Sequence, residues 1–556
     1  MRNLVRRGRD VGVIAMIAAA SFVTGPSADA ATCALPVRYS ATSDTIYLTT
    51  PGTVDTLTEI KAACPAAPLV QPSPGVWELN SDLVVQGGAR LDLSGDVKEL
   101  RLQSLPSGVT KDVSALIAQY GTIDIQGVNV TSWTGTGPDT DLTVPSGGTR
   151  GRAFVRAVSL MEGSTPRQST MNIVDSDVGF LGYNGAESYG VSYKARGCGA
   201  STPNICSVLD VFGKQTGSTF HDNYMGTYTW GAKNMLFDRN VYTHNKYYGL
   251  DPHDDSDYLT ITNNTFSENG NHGLICSQRC DHLVIRDNTS RHNTSATAET
   301  HGIMLHRGVT DTVVENNIVE NNSTGGGIVV FDSVGNSIKG NTITGNKYGL
   351  RFSVGTKDLV VSGNTVKGSL RHAIYTYKGS DAASYTGTSG RPAGITFIDN
   401  TFEGAGAELF KIQDSDKFTF TGGSITPGAP TRGPKFERAG GHAFGPVTMP
   451  TGTTTFILRG TSTVKTTLAI KGIPASPVKI DKDAYSSATF NGTTVSASPT
   501  ATPTPTPTAS APAAATKTET ANPTATAPGV VNAPISPILA PTGVAEAPPA
   551  IGETTP

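Results

Sequence analysis

Charge is scarce in this chain. Of its 556 residues only 16% are Asp, Glu, Lys or Arg, and the formal net charge is -3 with a pI near 6.4. That balance excludes a nucleic-acid binder working through bulk positive charge, although a local basic strip can still hold a polyanionic sugar. Long apolar runs are equally scarce: residues 11–23 are short of a full membrane span, and no later segment is apolar enough to cross a bilayer. Near Cys276 and Cys280 there is no second cysteine pair of zinc-ligand spacing, which argues against a zinc site. Glycine is plentiful, with 62 residues, and a chain rich in glycine and poor in charge suits turn-rich β structure better than helical bundles.

The N-terminus reads as an export signal over residues 1–30. Arg2, Arg6, Arg7 and Arg9 precede the apolar run, and Ala28-Asp29-Ala30 offers a small-x-small cleavage site. A membrane anchor is the alternative, and Arg6-Arg7 is weak evidence for twin-arginine export. The six cysteines fall as sequence neighbours, Cys33 with Cys64, Cys198 with Cys206 and Cys276 with Cys280. Pairing in that order closes local loops and fits an oxidising compartment. The expected location is secreted or cell-surface.

Residues 31–82 read as an N-terminal cap, with a short helix within 52–64 tied down by Cys33–Cys64. From 83 to 425 short alternating strands are separated by turn residues. Residues 426–496 read as terminal β coils or a cap. From 497 to 556 Ala, Pro and Thr nearly alternate, a composition that cannot bury a core and is expected to be a disordered tail. Leu539-Ala540-Pro541-Thr542-Gly543 faintly suggests a wall-sorting signal, but no hydrophobic segment follows it.

Within the strand-rich region two columns keep step. Asn240, Asn264, Asn288, Asn317, Asn341 and Asn364 recur at spacings of 24, 24, 29, 24 and 23, and Gly249, Gly273, Gly302, Gly327 and Gly349 run beside them, with Ala373 in the same place. A fixed period near 24 residues marks one supersecondary unit stacked many times. Alternating apolar residues interrupted by Gly and Asn make the unit β, and a propeller blade needs a longer period. The predicted fold is all-β, a right-handed parallel β-helix.

One run breaks the repeat with ionisable groups: Tyr248-Gly249-Leu250-Asp251-Pro252-His253-Asp254-Asp255-Ser256. Counting from the column glycine, Leu250, Leu274, Ile303, Ile328 and Leu350 point inward, so Asp251 and His253, and then Ser277 and His306, point outward. Arg279 lies two positions beyond Ser277 on the same parity, and Arg351 further along. Rungs about 4.8 Å apart put Asp251, His253 and Arg279 on one external groove. Tyr248 carries the parity of the inward set. Asp251, Asp254 and Asp255 are also hard oxygen donors of the kind calcium takes, a reading that needs neither His253 nor Pro252. The site is expected to work without a cofactor.

The run at 248–254 resembles the signature of mannuronan (alginate) C5-epimerases, in particular the periplasmic, calcium-independent type. Val130-Thr131-Ser132-Trp133, Gly151-Arg152-Ala153-Phe154-Val155, Phe180-Leu181-Gly182-Tyr183, Ser188-Tyr189-Gly190-Val191-Ser192-Tyr193 and His272-Gly273-Leu274-Ile275 resemble further segments of that family in order, so the likeness covers roughly residues 75–380. It implies that Asp251 and His253 hold the catalytic positions and Arg279 a substrate-binding one. Two features depart from the family: Cys280 stands where an acidic residue usually follows that arginine, and the tail from 497 has no counterpart.

The residues suit the chemistry independently. Removing the C5 proton of a uronate is hard while its carboxylate stays negative, so a cation such as Arg279 is needed against it. His253 serves as general base, Asp251 fixes its tautomer or raises its basicity, and water or Tyr248 returns a proton from the other face. His306, Arg307, Lys246 and Asp254 are candidates for gripping neighbouring sugars. The expected partner is an anionic polysaccharide bound by a monomer. A polysaccharide lyase and a non-catalytic sugar-binding β-helix are the competing functions. A hydrolase is disfavoured, since no carboxylate pair at hydrolase spacing is evident.

Overall fold

The computed structural model describes residues 33–107, 110–143, 151–428 and 432–495. The expected export signal at 1–30 and the tail at 497–556 lie outside these residues. The chain winds into a parallel β-helix with three long sheets of 18, 16 and 15 strands. Each rung adds one short strand to each sheet, as in Leu236–Asp238, Val241–Thr243 and Leu250–His253.

Register holds from rung to rung. In the first sheet Thr227 pairs with Leu250, Leu250 with Leu274, Leu274 with Ile303, Ile303 with Ile328 and Ile328 with Leu350. These leucines and isoleucines are fully buried in one continuous core, as the two-residue alternation requires. Inside the core, rings stack along the axis, with Phe220, Tyr242 and Phe266 about 5 Å apart. The glycine column has a packing reason: a Cβ on Gly249 would lie 2.5 Å from the Gly273 carbonyl oxygen of the next rung.

The asparagine column is a hydrogen-bonded ladder. The backbone N–H of Asn264 donates to Oδ1 of Asn288 at 2.9 Å, as does its own Nδ2, while Asn288 repeats both bonds to Asn317 and gives Nδ2 to the Ile261 carbonyl. The ladder continues to Asn400. A second ladder five residues on, Asn223, Asn245, Asn269, Asn293, Asn322 and Asn346, does the same at the following turn.

Antiparallel pairs stand near the two ends, Val37–Ser40 with Thr45–Leu48 at one and Ser486–Phe490 with Thr493–Thr494 at the other, a pairing that blunts those strand edges. The helix Leu57–Ala63 has a capping box between Thr56 and Glu59, and it buries Leu57 and Ile60 in the core. The Cys33–Cys64 disulfide ties it down. In the stretch 426–496, Thr454–Arg459 and Thr466–Ile470 pair in parallel with the rung before. The third expected disulfide is absent. Cys198–Cys206 forms, but Cys276 and Cys280 are buried free thiols, Cys280 turning its sulfur toward the carbonyls of Pro252 and Gln278.

An Asn288→Ala variant strands the Asn264 amide and the Ile261 carbonyl inside the protein. Denaturant unfolding is expected to show a loss of about 2–4 kcal/mol, whereas Thr297→Ala on an exposed turn stays within about 0.5 kcal/mol.

Candidate active site

Outward positions of the first sheet form columns across the rungs. Arg156, Ser192, Tyr228 and Asp251 share one column, and Val158, Lys194, Trp230 and His253 the next. Asp251 is only 2% exposed and accepts a 2.7 Å hydrogen bond from the Ser277 hydroxyl. Burial pushes its carboxyl up to about 6, against the pull of His253 and Ser277. His253 keeps 16% of its side chain open. Its ring stacks on Trp230 with centroids 5.4 Å apart and tilts against Tyr228. The Ser256 hydroxyl donates to the His253 carbonyl and so fixes the strand end.

The carboxylate in contact with the imidazole is Asp254, so Asp251 does not fix the tautomer and acts on His253 through its charge, which raises the ring's basicity. His253 Nδ1 is 2.7 Å from Asp254 Oδ2, an ion-pair contact that lacks the alignment of a formed hydrogen bond. Burial alone would lower the histidine pKa, but Asp254 and then Asp251 outweigh it and raise it above the ordinary value. With Nδ1 turned to Asp254, Nε2 is the atom left for proton exchange with a ligand.

Arg279 sits in the cluster by a different route from strand parity. It occupies a left-handed turn (φ 49°) in a column with Asp255 and Arg307, which are also left-handed. Its Nη2 bonds Asp254, and Nε and Nη2 each lie 3.1 Å from Asp255. Those carboxylates hold the guanidinium charged despite its partial burial. Only Nη1 faces neutral groups, Gln278 at 3.3 Å and the Tyr385 hydroxyl at 3.4 Å.

Tyr248 corrects its parity. It belongs not to the interior but to an outer apolar cluster with Tyr228, Ile275 and Met304. Burial raises its phenol pKa well above 10. Tyr248 opens a cavity of about 370 Å³ that continues along the later rungs, where His306 and Arg307 also line it. His306 is neutral, pushed down to about 3 by burial, with Nδ1 near the Ser277 carbonyl. Arg307 pairs with Asp381 at 3.1 Å. Lys246 is exposed on a turn and does not line this cavity. Tyr248 stacks on His272, and His272 on His301. Each of these histidines accepts a backbone N–H at Nδ1, so each is neutral and carries its proton on Nε2.

Three contributors were missed in the sequence. Carrying the glycine column back to Gly226 and Gly190 would have found Trp230 and Lys194, which sits 3.2 Å over the Trp230 ring. The third is a strap at 378–393. The asparagine ladder steps by 36 residues there, and the surplus folds back over the groove. Asp332 anchors it through Tyr385 N and Thr386 N, so that the Tyr385 hydroxyl reaches Gln278 and Arg279. Among the described residues the one converging group of metal-binding side chains is Cys198, Cys206 and Asp255, and its cysteines are joined in a disulfide.

The family model described as a right-handed beta helix region matches residues 207–366. A mannuronan C5-epimerase of Pseudomonas putida is 29% identical over 328 residues, covering 58% of this chain and 53% of that protein. The Azotobacter vinelandii enzyme named mannuronan C5-epimerase AlgG is 29% identical over 323 residues, covering 53% of this chain and 52% of its own. This chain is similar in sequence to mannuronan C5-epimerases. It spans about half the length of the curated epimerases it matches. A crystal structure of the periplasmic alginate epimerase AlgG shares the fold, with a TM-score of 0.53 at 20% identity over 75% of this chain and 84% of that one.

The raised histidine pKa gives a signed prediction. The charged His253–Asp254 pair contributes stability that is complete below the unfolded histidine value of about 6.5 and fades as pH rises through the higher folded value. In an NMR titration His253 is expected to titrate above about 6.5, and Asp254→Asn is expected to lower that midpoint.

Proposed function

We propose that the chain epimerises β-D-mannuronate to α-L-guluronate at C5 within an alginate-like polyuronate. The names of its relatives support the substrate and the reaction. The observation that carries the reading is a single chain of contacts on the outer wall: Arg279 on Asp254, and Asp254 on His253. In its neutral form His253 takes the C5 proton at Nε2, while Asp254 stabilises the imidazolium that results. The electron pair left at C5 delocalises into the sugar carboxylate, and the Nη1 edge of Arg279 accepts that growing charge. A proton returned from the opposite face inverts the centre. Tyr248, which lines the groove in the same rung and stays protonated, is the side chain suited to supply it.

Asp254 and Asp255 both turn toward Arg279, which takes the side a calcium ion would share, and Asp251 is engaged by Ser277. This donor set fits a cation already built into the chain, and we propose that turnover needs no calcium. One chain supplies every member of the cluster, in keeping with a monomer. The disulfides at Cys33–Cys64 and Cys198–Cys206 support an exported location, and no helix among the described residues is long and apolar enough to cross a membrane.

Incubation with polymannuronate in deuterated water is expected to place deuterium at C5 of new guluronate residues, and added chelator is expected to leave the rate unchanged. His253→Ala is expected to cut exchange by about 10²- to 10⁴-fold while polymer binding persists. Unsaturated sugar ends in place of guluronate would assign the site to a lyase, and exchange surviving in His253→Ala would remove the histidine from the reaction.

A further inference from the structure

The groove contains a carboxylate where its substrate should meet cations. Between Asn288 and Asn317 the ladder steps by 29 residues instead of 24, and the surplus at 294–301 leaves the rung as a loop. Thr300 fastens the base of that loop to the Asn293 carbonyl and to Thr324. The residue before it, Glu299, reaches two rungs along the axis. Its carboxylate bonds Lys347 Nζ at 2.6 Å and the Arg351 guanidinium, whose other nitrogen bonds the Tyr377 phenol.

The two cations differ from the acid that covers them. Arg351 is on a rung, in the outward column that runs from Asp251 past Ile275, Met304 and Val329. Only 12% of its side chain is exposed, whereas Glu299 is 31% exposed on its loop. Glu299 and Arg351 line the groove cavity beside the stacked rings of Tyr348 and Tyr375, which are 4.7 Å apart and give a sugar a flat face to lie on, and Lys347 stands next to it with Nζ 5.3 Å from the Tyr348 ring centre. A fixed carboxylate in that position would repel a polyuronate, while two fixed cations over an aromatic face would bind one.

We propose that Arg351 and Lys347 form a carboxylate-binding subsite for a uronate residue of the polymer, and that Glu299 fills it in the free protein until the polymer displaces it. The subsite lies four rungs from Asp251, about 19 Å along the axis, so only a substrate several sugars long engages it together with His253. The inference rests on the uronate reading of the groove. It adds a length requirement and an internal competitor to that reading.

Affinities of the full chain for trimannuronate and for an oligomannuronate long enough to span the four rungs test this by calorimetry. Glu299→Gln is expected to bind the long oligomer roughly 5-fold more tightly than wild type, to bind the trimer unchanged, and to lose the gain when combined with Lys347→Met. Unchanged or weaker binding of the long oligomer, or an equal gain for the trimer, overturns the subsite and leaves C5 exchange untouched. A wild-type chain that binds the oligomers without exchanging deuterium at C5 overturns the epimerase reading and leaves the subsite standing. One that binds neither oligomer overturns both.

Discussion

Every distance in the groove is inherited from the pairing of one parallel rung on the next. Strands three to six residues long have little stability alone, so rung-to-rung hydrogen bonds and the two asparagine ladders fix the register that short strands cannot fix for themselves. Each asparagine amide is buried, and its loss would leave several groups unpaired at once. Register is therefore strongly specified. A slip of one residue would turn Asp251 and His253 into the core and Leu250 out of it. The chemistry tolerates no such slip, and the ladders supply the constraint.

On that frame the charges are arranged as a chain. Asp254 stands between an imidazole and a guanidinium, and Asp255 braces the guanidinium from a second side. Burying these groups is costly in isolation. Together they offset one another's charge, leaving Nε2 of His253 free, while Nη1 of Arg279 is held only by the neutral oxygens of Gln278 and Tyr385. The disulfide loop contributes at a distance. Cys198 accepts the Trp230 indole N–H at its carbonyl, and Trp230 stacks on His253. Further along the groove the histidines are neutral donors, so charge there comes from Arg351, Lys347 and Arg307, each already matched with a carboxylate of the chain.

What could be read in the sequence follows from periodicity. Period 2 within a strand and a period near 24 between strands were enough for the fold, for the inward leucines and for the outward pair Asp251 and His253. They failed wherever the backbone leaves the strand. Arg279 reaches the cluster from a left-handed turn, where parity has no meaning. Asp254, one residue past the strand, turns back to the imidazole and takes the place expected of Asp251. Tyr248 precedes the strand and escapes its alternation for the same reason. Cys276 and Cys280 are near in sequence but separated by a corner. The insertions that bring Glu299 and Tyr385 over the groove are visible as excess length in the repeat, yet length alone carries no direction.

The central claim is that the stacked rungs present His253 and Arg279 together to one uronate residue. A crystal structure of the His253→Ala chain with a long oligomannuronate tests it most directly. The account predicts a sugar lying along the rungs from Tyr228 to Met304, its C5 hydrogen aimed at position 253 and its carboxylate on the Arg279 Nη1 edge. An oligomer bound on another sheet, or one whose C5 faces away from position 253, would contradict it.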